Sequence, residues 1–171
     1  PSDSTSPKQH LAAYFNGLPG TWLEVMGRSS LVQSSWTLEA QVLPASVDFL
    51  ADGQGAAIFR RAVEEATNGM YVANYELRVV RDGANLYPEA RFVYRTPQGA
   101  GVPIAVRGTD ALRVSATYNP TSVHHLAATY DNLGKRLTLY VDGEQVGNVQ
   151  DPNHSAPTTG EGPVSVIRIG E

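Results

Sequence analysis

Residues 36–42, Trp-Thr-Leu-Glu-Ala-Gln-Val, alternate apolar and polar side chains without a slip. A period of two belongs to a strand, so Trp36, Leu38, Ala40 and Val42 face one way and Thr37, Glu39 and Gln41 the other. Pro44 ends the run. No stretch sustains a helical period over about ten residues, and sixteen glycines with eleven prolines cut the remaining Val-, Leu-, Tyr- and Thr-rich sequence into short pieces. Further strands are expected at Ala56 to Arg61, Tyr71 to Arg81, Arg91 to Arg95, Ile104 to Val106, Ala111 to Ser115, His124 to Tyr130, Leu137 to Val141 and Val164 to Ile169. Their number and turn spacing predict an all-β fold of two packed antiparallel sheets. Residues 62–69, AVEEATNG, read as one helical turn or an acidic surface loop, and residues 148–162 have loop composition throughout. There is no internal repeat.

The 171 residues suit a single domain over 11–171, preceded by a polar, disordered linker at 1–10. The absence of cysteine excludes thiolate metal sites, iron-sulfur clusters and cysteine nucleophiles. A net charge of -4 offers no basic footprint for nucleic acid, and no apolar run approaches the roughly 18 residues of a membrane span.

Residues 124–147, HHLAATYDNLGKRLTLYVDGEQVG, concentrate the reactive side chains. Successive residues of a strand point to opposite faces, so His124 joins Leu126, Ala128 and Tyr130, while His125 joins Ala127 and Thr129. The two histidines therefore cannot chelate one ion from one face, and each reads as a hydrogen-bonded structural residue. Tyr130 to Lys135 reads as a hairpin in which Asp131 and Asn132 bond the turn backbone and Gly134 takes a positive φ. Asp142-Gly143 is the strongest hairpin signal in the chain. The whole passage is strand, turn, strand, turn, strand. His10 and His154 receive no role.

That passage resembles the diagnostic segment of the laminin G-like jelly rolls of the concanavalin A-like lectin and glucanase superfamily, with its Trp-His-His-Val-Ala, Thr-Tyr-Asp and Tyr-Val-Asp-Gly pattern. AAYFNG (12–17) is similar to the family's first strand, WTLEAQVLP (36–44) to its Phe-Thr-Ile-Glu-Ala-Trp-Val strand, and VSVIRIGE (164–171) to its Ile-Gly strand. The resemblance implies a two-sheet antiparallel jelly-roll sandwich. Against the pattern, Val123 and Gln41 stand where the family usually has tryptophan, and Gly20 and Thr21 stand where many members place a calcium-binding aspartate. The Gly-x-Ile-Asp-Glu closing strand is lacking in this chain, so Ca2+ is implied by the resemblance only against two missing features, and no cofactor is required.

The superfamily's glucanases carry Glu-x-Asp-x-x-Glu on one strand, which sets two carboxylates about 5 Å apart for retaining hydrolysis. No such run occurs; Glu64-Glu65 and Asp142/Glu144 read as solvated charges, and catalytic residues are expected to be none. Asn153-His154-Ser155 is a bare N-glycosylation triplet. The expectation is a non-catalytic extracellular or cell-surface binding or adhesion module, part of a larger protein, with a carbohydrate or a surface protein as partner. The alternatives are an assembly module whose closing strand is donated by another chain or segment, and a glycoside hydrolase-like enzyme. Candidate ligand-binding residues are Glu39 and Gln41 on the face opposite Trp36, together with Thr138 and Tyr140, and, in second place, Tyr75 and Tyr94. Trp36 is assigned to the core; Trp22 is left open.

Overall fold

The computed structural model describes residues 13–15, 21–26, 34–64, 71–95, 101–151 and 165–170. Ten strands run in chain order: β1 (Leu23–Met26), β2 (Trp36–Val42), β3 (Gly55–Glu64), β4 (Tyr71–Asp82), β5 (Asn85–Arg95), β6 (Gly101–Arg107), β7 (His124–Asp131), β8 (Arg136–Val141), β9 (Glu144–Gln150) and β10 (Ser165–Ile169). They form a six-stranded antiparallel sheet, β1-β10-β3-β4-β5-β6, and a four-stranded one, β2-β7-β8-β9. Among the described residues the only helical turn is a 3-10 turn at Pro120–Ser122. The jelly-roll sandwich expected from the sequence is the observed architecture.

Alternation builds the core. β2 turns Trp36 and Leu38 inward, β7 adds Leu126, Ala128 and Tyr130, and β8 adds Leu137 and Leu139. The six-stranded sheet answers with Tyr75, Leu77 and Val79 from β4, Ala90 and Phe92 from β5, and Ile104 and Val106 from β6. Trp36 sits where the sheets meet, its ring centroid 5.3 Å from Tyr75, 5.7 Å from Phe92 and 6.1 Å from Tyr130. Phe92 and Tyr130 complete this aromatic cluster at 4.4 Å. Such rings contribute area burial plus a preference for tilted and edge-on contacts. The sheets also close at one end: a Cβ on Gly147 of β9 would lie 2.7 Å from Val106 of β6, so only glycine permits that approach.

Several expectations are corrected. Ala111–Ser115 is not a strand, because its amides go singly to different elements: Leu112 to the Leu86 carbonyl, Arg113 to the His124 ring and Ser115 to the Pro44 carbonyl. Ala62 to Glu64 is neither helix nor loop but the end of β3, paired with β4; residues 65–70 lie outside the described set. Asn148 to Gln150, read as loop, extend β9 because Thr138, Leu137 and Arg136 of β8 give them a ladder. Residues 13–15 of AAYFNG are not in a strand; Phe15 instead packs on Gly170, where any Cβ would strike its ring. The N-terminal strand among the described residues is β1, and β10 lies between it and β3. In the β7–β8 turn the positive φ falls on Lys135 (52°), not on Gly134. The helix-free reading of 124–147 as strand, turn, strand, turn, strand holds throughout.

Phe92 is fully buried between Trp36 and Tyr130. Phe92→Ala is expected to destabilise the domain by about 3–5 kcal/mol, read as a lower midpoint in guanidinium denaturation with an unchanged slope.

Candidate functional site

The histidine–aspartate cluster of the sequence proves to be a structural joint. Asp142 and Gly143 both take positive φ, 53° and 86°, which is the geometry of a tight two-residue hairpin between β8 and β9. The tip thus formed turns the Asp142 carboxylate back over the start of β7, where Oδ1 accepts the His125 amide at 2.8 Å. Its Oδ2 lies 2.9 Å from Nδ1 of His124, a side chain buried beneath it. The Arg113 amide donates to His124 Nε2 at 2.9 Å, so Nε2 is the acceptor and Nδ1 carries the proton given to Asp142. Burial pushes the Asp142 carboxyl up, but the His125 amide, the His124 ring and the Arg113 guanidinium 3.7 Å away together hold it below the usual aspartate range. Every polar atom of the imidazole is used inside the protein. His124 therefore ties the 108–123 segment to the β8–β9 hairpin.

The outer face of the four-stranded sheet is different in kind. Register places Glu39, Ala127, Tyr140 and Gln145 in one row across the four strands, and Thr37, Thr129, Thr138 and Asn148 in the next. Gln41 stands opposite His125 at one end, and His125 Nε2 approaches Glu39 Oε2 at 3.5 Å. In the first row Ala127 is the only small side chain. Tyr140 and Glu39 are two strand spacings apart, about 9–10 Å, with the alanine methyl between them as a floor. The result is a trough walled by a half-buried aromatic ring on one side and an exposed carboxylate–imidazole pair on the other.

Four of the expected binding residues, Glu39, Gln41, Thr138 and Tyr140, thus share one face. Thr138 lies at the floor, 5% exposed. Tyr75 is corrected: it is buried in the core, stacked near Trp36 and Phe59, because its position on β4 has the inward parity of Leu77 and Val79. Tyr94 lies in β5 opposite Val102, and its side chain lies outside the described residues. Trp36 is in the core as assigned, and Trp22 carries the Arg168 guanidinium over its ring at 4.8 Å. Thr37, Thr129, Asn148, Gln145 and His125 were missed as neighbours, since only the pairing of β2, β7, β8 and β9 sets them beside Tyr140. Among the described residues no three His, Asp or Glu side chains converge as a cation site.

Two buried carboxylates also went unremarked in the sequence, Glu76 on β4 and Glu89 on β5. They are diagonal neighbours on the outer face of the six-stranded sheet, since Glu76 stands opposite Arg91 and Glu89 opposite Arg78. A carboxylate pair on a sheet is the geometry of glycoside hydrolysis. Here, however, Glu89 accepts from Nε of Arg78 at 2.8 Å and of Arg107 at 3.2 Å, and Glu76 lies 3.8 Å from Arg91. Burial holds Glu76 above the usual carboxylate range against the pull of Arg78, Arg60 and Arg91. Both side chains are below 10% exposed and are held against arginines.

Comparison with known proteins agrees with this architecture. A family model described as the concanavalin A-like lectin/glucanases superfamily matches residues 9–170. No curated protein sequence matches the chain. Among solved structures, the binding domain of botulinum neurotoxin serotype G superposes with a TM-score of 0.55 at 7% identity, covering 90% of this chain and 36% of that one. The Ruminococcus gnavus IT-sialidase CBM40 bound to alpha2,3 sialyllactose gives 0.49 at 9% identity, covering 78% of this chain and 61% of that one. A Caenorhabditis elegans galectin, LEC-6, gives 0.38 at 14% identity, covering 92% and 87%. At 7% identity the likeness to the neurotoxin domain is one of fold alone. This chain spans less than two thirds of the sialidase chain and little more than a third of the neurotoxin chain.

Removing His124 leaves the Arg113 amide without its acceptor and Asp142 without its buried partner. His124→Ala is expected to destabilise the domain by about 2–3 kcal/mol, measured by thermal or denaturant unfolding. Because the folded Asp142 carboxyl titrates below its unfolded value, its contribution is complete above the ordinary aspartate range and is lost as pH falls through the depressed folded value. Asp142→Asn should flatten the acid side of the stability–pH profile below about pH 4, and an unchanged profile would count against the joint.

Proposed function

This chain belongs to the concanavalin A-like lectin/glucanase superfamily, and we propose that it is a non-catalytic carbohydrate-binding module of a larger secreted or surface protein, which holds sugar in the trough beside Tyr140. The observation that carries the reading is the row Glu39–Ala127–Tyr140–Gln145, a small residue between an aromatic wall and a hydrogen-bonding wall. A sugar ring offers an apolar face of C–H groups and an equatorial edge of hydroxyls. The Tyr140 ring matches the first, and Glu39, His125, Gln41 and the threonine row match the second. The floor is shallow and flanked by hydrogen-bonding side chains, the Glu39 carboxylate among them, which suits a binder of chain-like or terminal sugars better than an enclosed catalytic cleft. Among the described residues no carboxylate pair stands open to substrate, which supports the non-catalytic reading, and the engagement of Glu76 and Glu89 by arginines supports it further. No calcium is needed for these contacts.

A second reading, an assembly module that accepts a strand from another chain or segment, is favoured by one observation. Among the described residues β2 is paired on one side only, by β7. At the start of β2 a shallow hollow is lined by Ser35, Trp36, Thr37, Thr129, Tyr130 and Asp131, and the buried indole Nε1 of Trp36 has no hydrogen-bond partner there. An open edge is a template for β-augmentation. Light scattering and mass spectrometry of the purified chain test this: a folded, peptide-free monomer counts against strand donation.

The first reading is tested on a glycan array with and without calcium, followed by calorimetry. Tyr140→Ala is expected to weaken sugar binding about tenfold, equivalent to roughly 1.4 kcal/mol, with the fold intact by circular dichroism. Failure of every glycan to bind, or full affinity in the Tyr140→Ala protein, would sink the lectin reading.

A further inference from the structure

We propose that the edge of β2 left open by β7 takes up an extended segment of a partner chain that carries one inward-facing carboxylate, and that Arg61 is the residue that reads it. The proposal names the chemistry of the donated strand and rests on the reading of the domain as a strand acceptor. The two sheets differ in width. β8 and β9 lie against β5 and β6, Tyr130 of β7 meets Phe92 of β5 at 4.4 Å, and Trp36 of β2 meets Tyr75 of β4 at 5.3 Å. A strand placed one spacing beyond β2, about 4.8 Å, would therefore lie over β3, and among the described residues none does. Leu23 and Val25 of β1 register the consequence. They share inward rows with Phe59 and with Ile167 and Arg61, yet they are 56% and 49% exposed.

Arg61 stands in this uncovered stretch, opposite Tyr75 in register and so on the core side of β3. It is 1% exposed. Its Nη1 donates to Asn74 Oδ1 at 2.7 Å, its guanidinium lies 5.8 Å from the centre of the Tyr75 ring, and its Nε has no hydrogen-bond partner. Among the described residues no carboxylate acts on it: burial pulls the guanidinium below the ordinary arginine range, and only Tyr75 opposes the shift. A buried charge without a counter-ion is costly, and folded proteins pair such charges. The indole Nε1 of Trp36 is a second buried donor without an acceptor, and its ring rests against the same Tyr75. Two orphaned donors against one ring, one of them cationic, call for an acceptor with several lone pairs and a negative charge. A carboxylate is that group. The hollow that Trp36 lines at the start of β2 opens at this level.

The rest of the surface selects a peptide strand over a free anion. The open backbone of β2 offers a ladder, and the apolar shoulder of Leu23 and Val25 needs cover that a small anion does not give. Side chains alternate along a strand, so the segment carries its acid beside Trp36 and, two and four residues away, apolar residues that pack toward Phe59. A second copy of this chain does not meet these terms. Its own β2, laid edge to edge, would turn Leu38, Ala40 and Val42 inward and Glu39 outward, away from Arg61. The inward residues of β1 and β6, the edges of the larger sheet, are apolar as well: Leu23 and Val25 on one, Ile104 and Val106 on the other.

The experiment selects a displayed library of random heptapeptides on the immobilised chain, then measures an enriched peptide, blocked at both ends so that its side chain is the only carboxylate, by calorimetry and hydrogen exchange. Expected is enrichment of alternating peptides with one Asp or Glu two residues from an apolar residue. Replacing that acid by its amide should weaken binding tenfold or more, and the bound peptide should slow exchange of the β2 amides that β7 leaves unpaired. In Arg61→Met the acidic peptide and its amide counterpart are expected to bind alike. Trp36→Phe, which keeps an aromatic ring and deletes the indole N–H, is the second variant and should cost the acidic peptide several-fold and the amide peptide nothing. Enrichment of no peptide overturns the proposal together with the strand-acceptor reading. Equal binding of acid and amide by the unaltered chain leaves that reading standing and overturns the role of Arg61. Protection at another sheet edge, or β2 amides already protected in the peptide-free chain by one of its own segments or by a second copy, overturns the proposal.

Discussion

Everything in this domain follows from the pairing of a two-residue side-chain period with antiparallel ladders that hold register across four and six strands. A slip of one residue in any strand would move its apolar set to solvent. Trp36 illustrates the consequence: its place opposite Tyr130 on β7 aims it into the core, and the same parity sends Glu39 and Gln41 outward. On the other sheet, the parity that buries Tyr75, Leu77 and Phe92 throws the arginines and glutamates onto the far face. The core and both outer faces are thus one decision made in each strand.

Register needs anchors at the turns. The Asp142–Gly143 tip supplies one, because its left-handed backbone is affordable only for residues such as Asp and Gly and because the Asp142 carboxylate reaches back to the His125 amide and the His124 ring. Asp131 does the same for the β7–β8 turn, accepting from the Leu133 and Gly134 amides at 3.0 and 3.1 Å. The aspartates and the buried histidine are therefore part of the fold's framework.

Much of this is legible in the residues. Alternation in 36–42 and the hairpin signals of 124–147 suffice to place β2, β7 and β8 and to separate the two histidines. The failures have a common cause. Ala111–Ser115 has strand composition but no neighbouring strand to pair with, and its amides scatter. Asn148–Gln150 has loop composition, yet β8 offers it a ladder and it pairs. Tyr75 looks like a surface aromatic until β4 is set in register with β5. Strand formation at such segments is decided by the partner, since half of a strand's hydrogen bonds belong to its neighbours.

The sequence by itself determined the fold class, the core parity of each strongly alternating strand and the turn chemistry, because these depend on neighbours along the chain. Tertiary structure alone decided which side chains stand side by side: Tyr140 across Ala127 from Glu39, His124 beneath Asp142, and Arg78 and Arg107 on the buried Glu89. The physical reason is that a sheet face is assembled across strands far apart in sequence. Its rows run perpendicular to the chain, and no pattern read along the chain contains them.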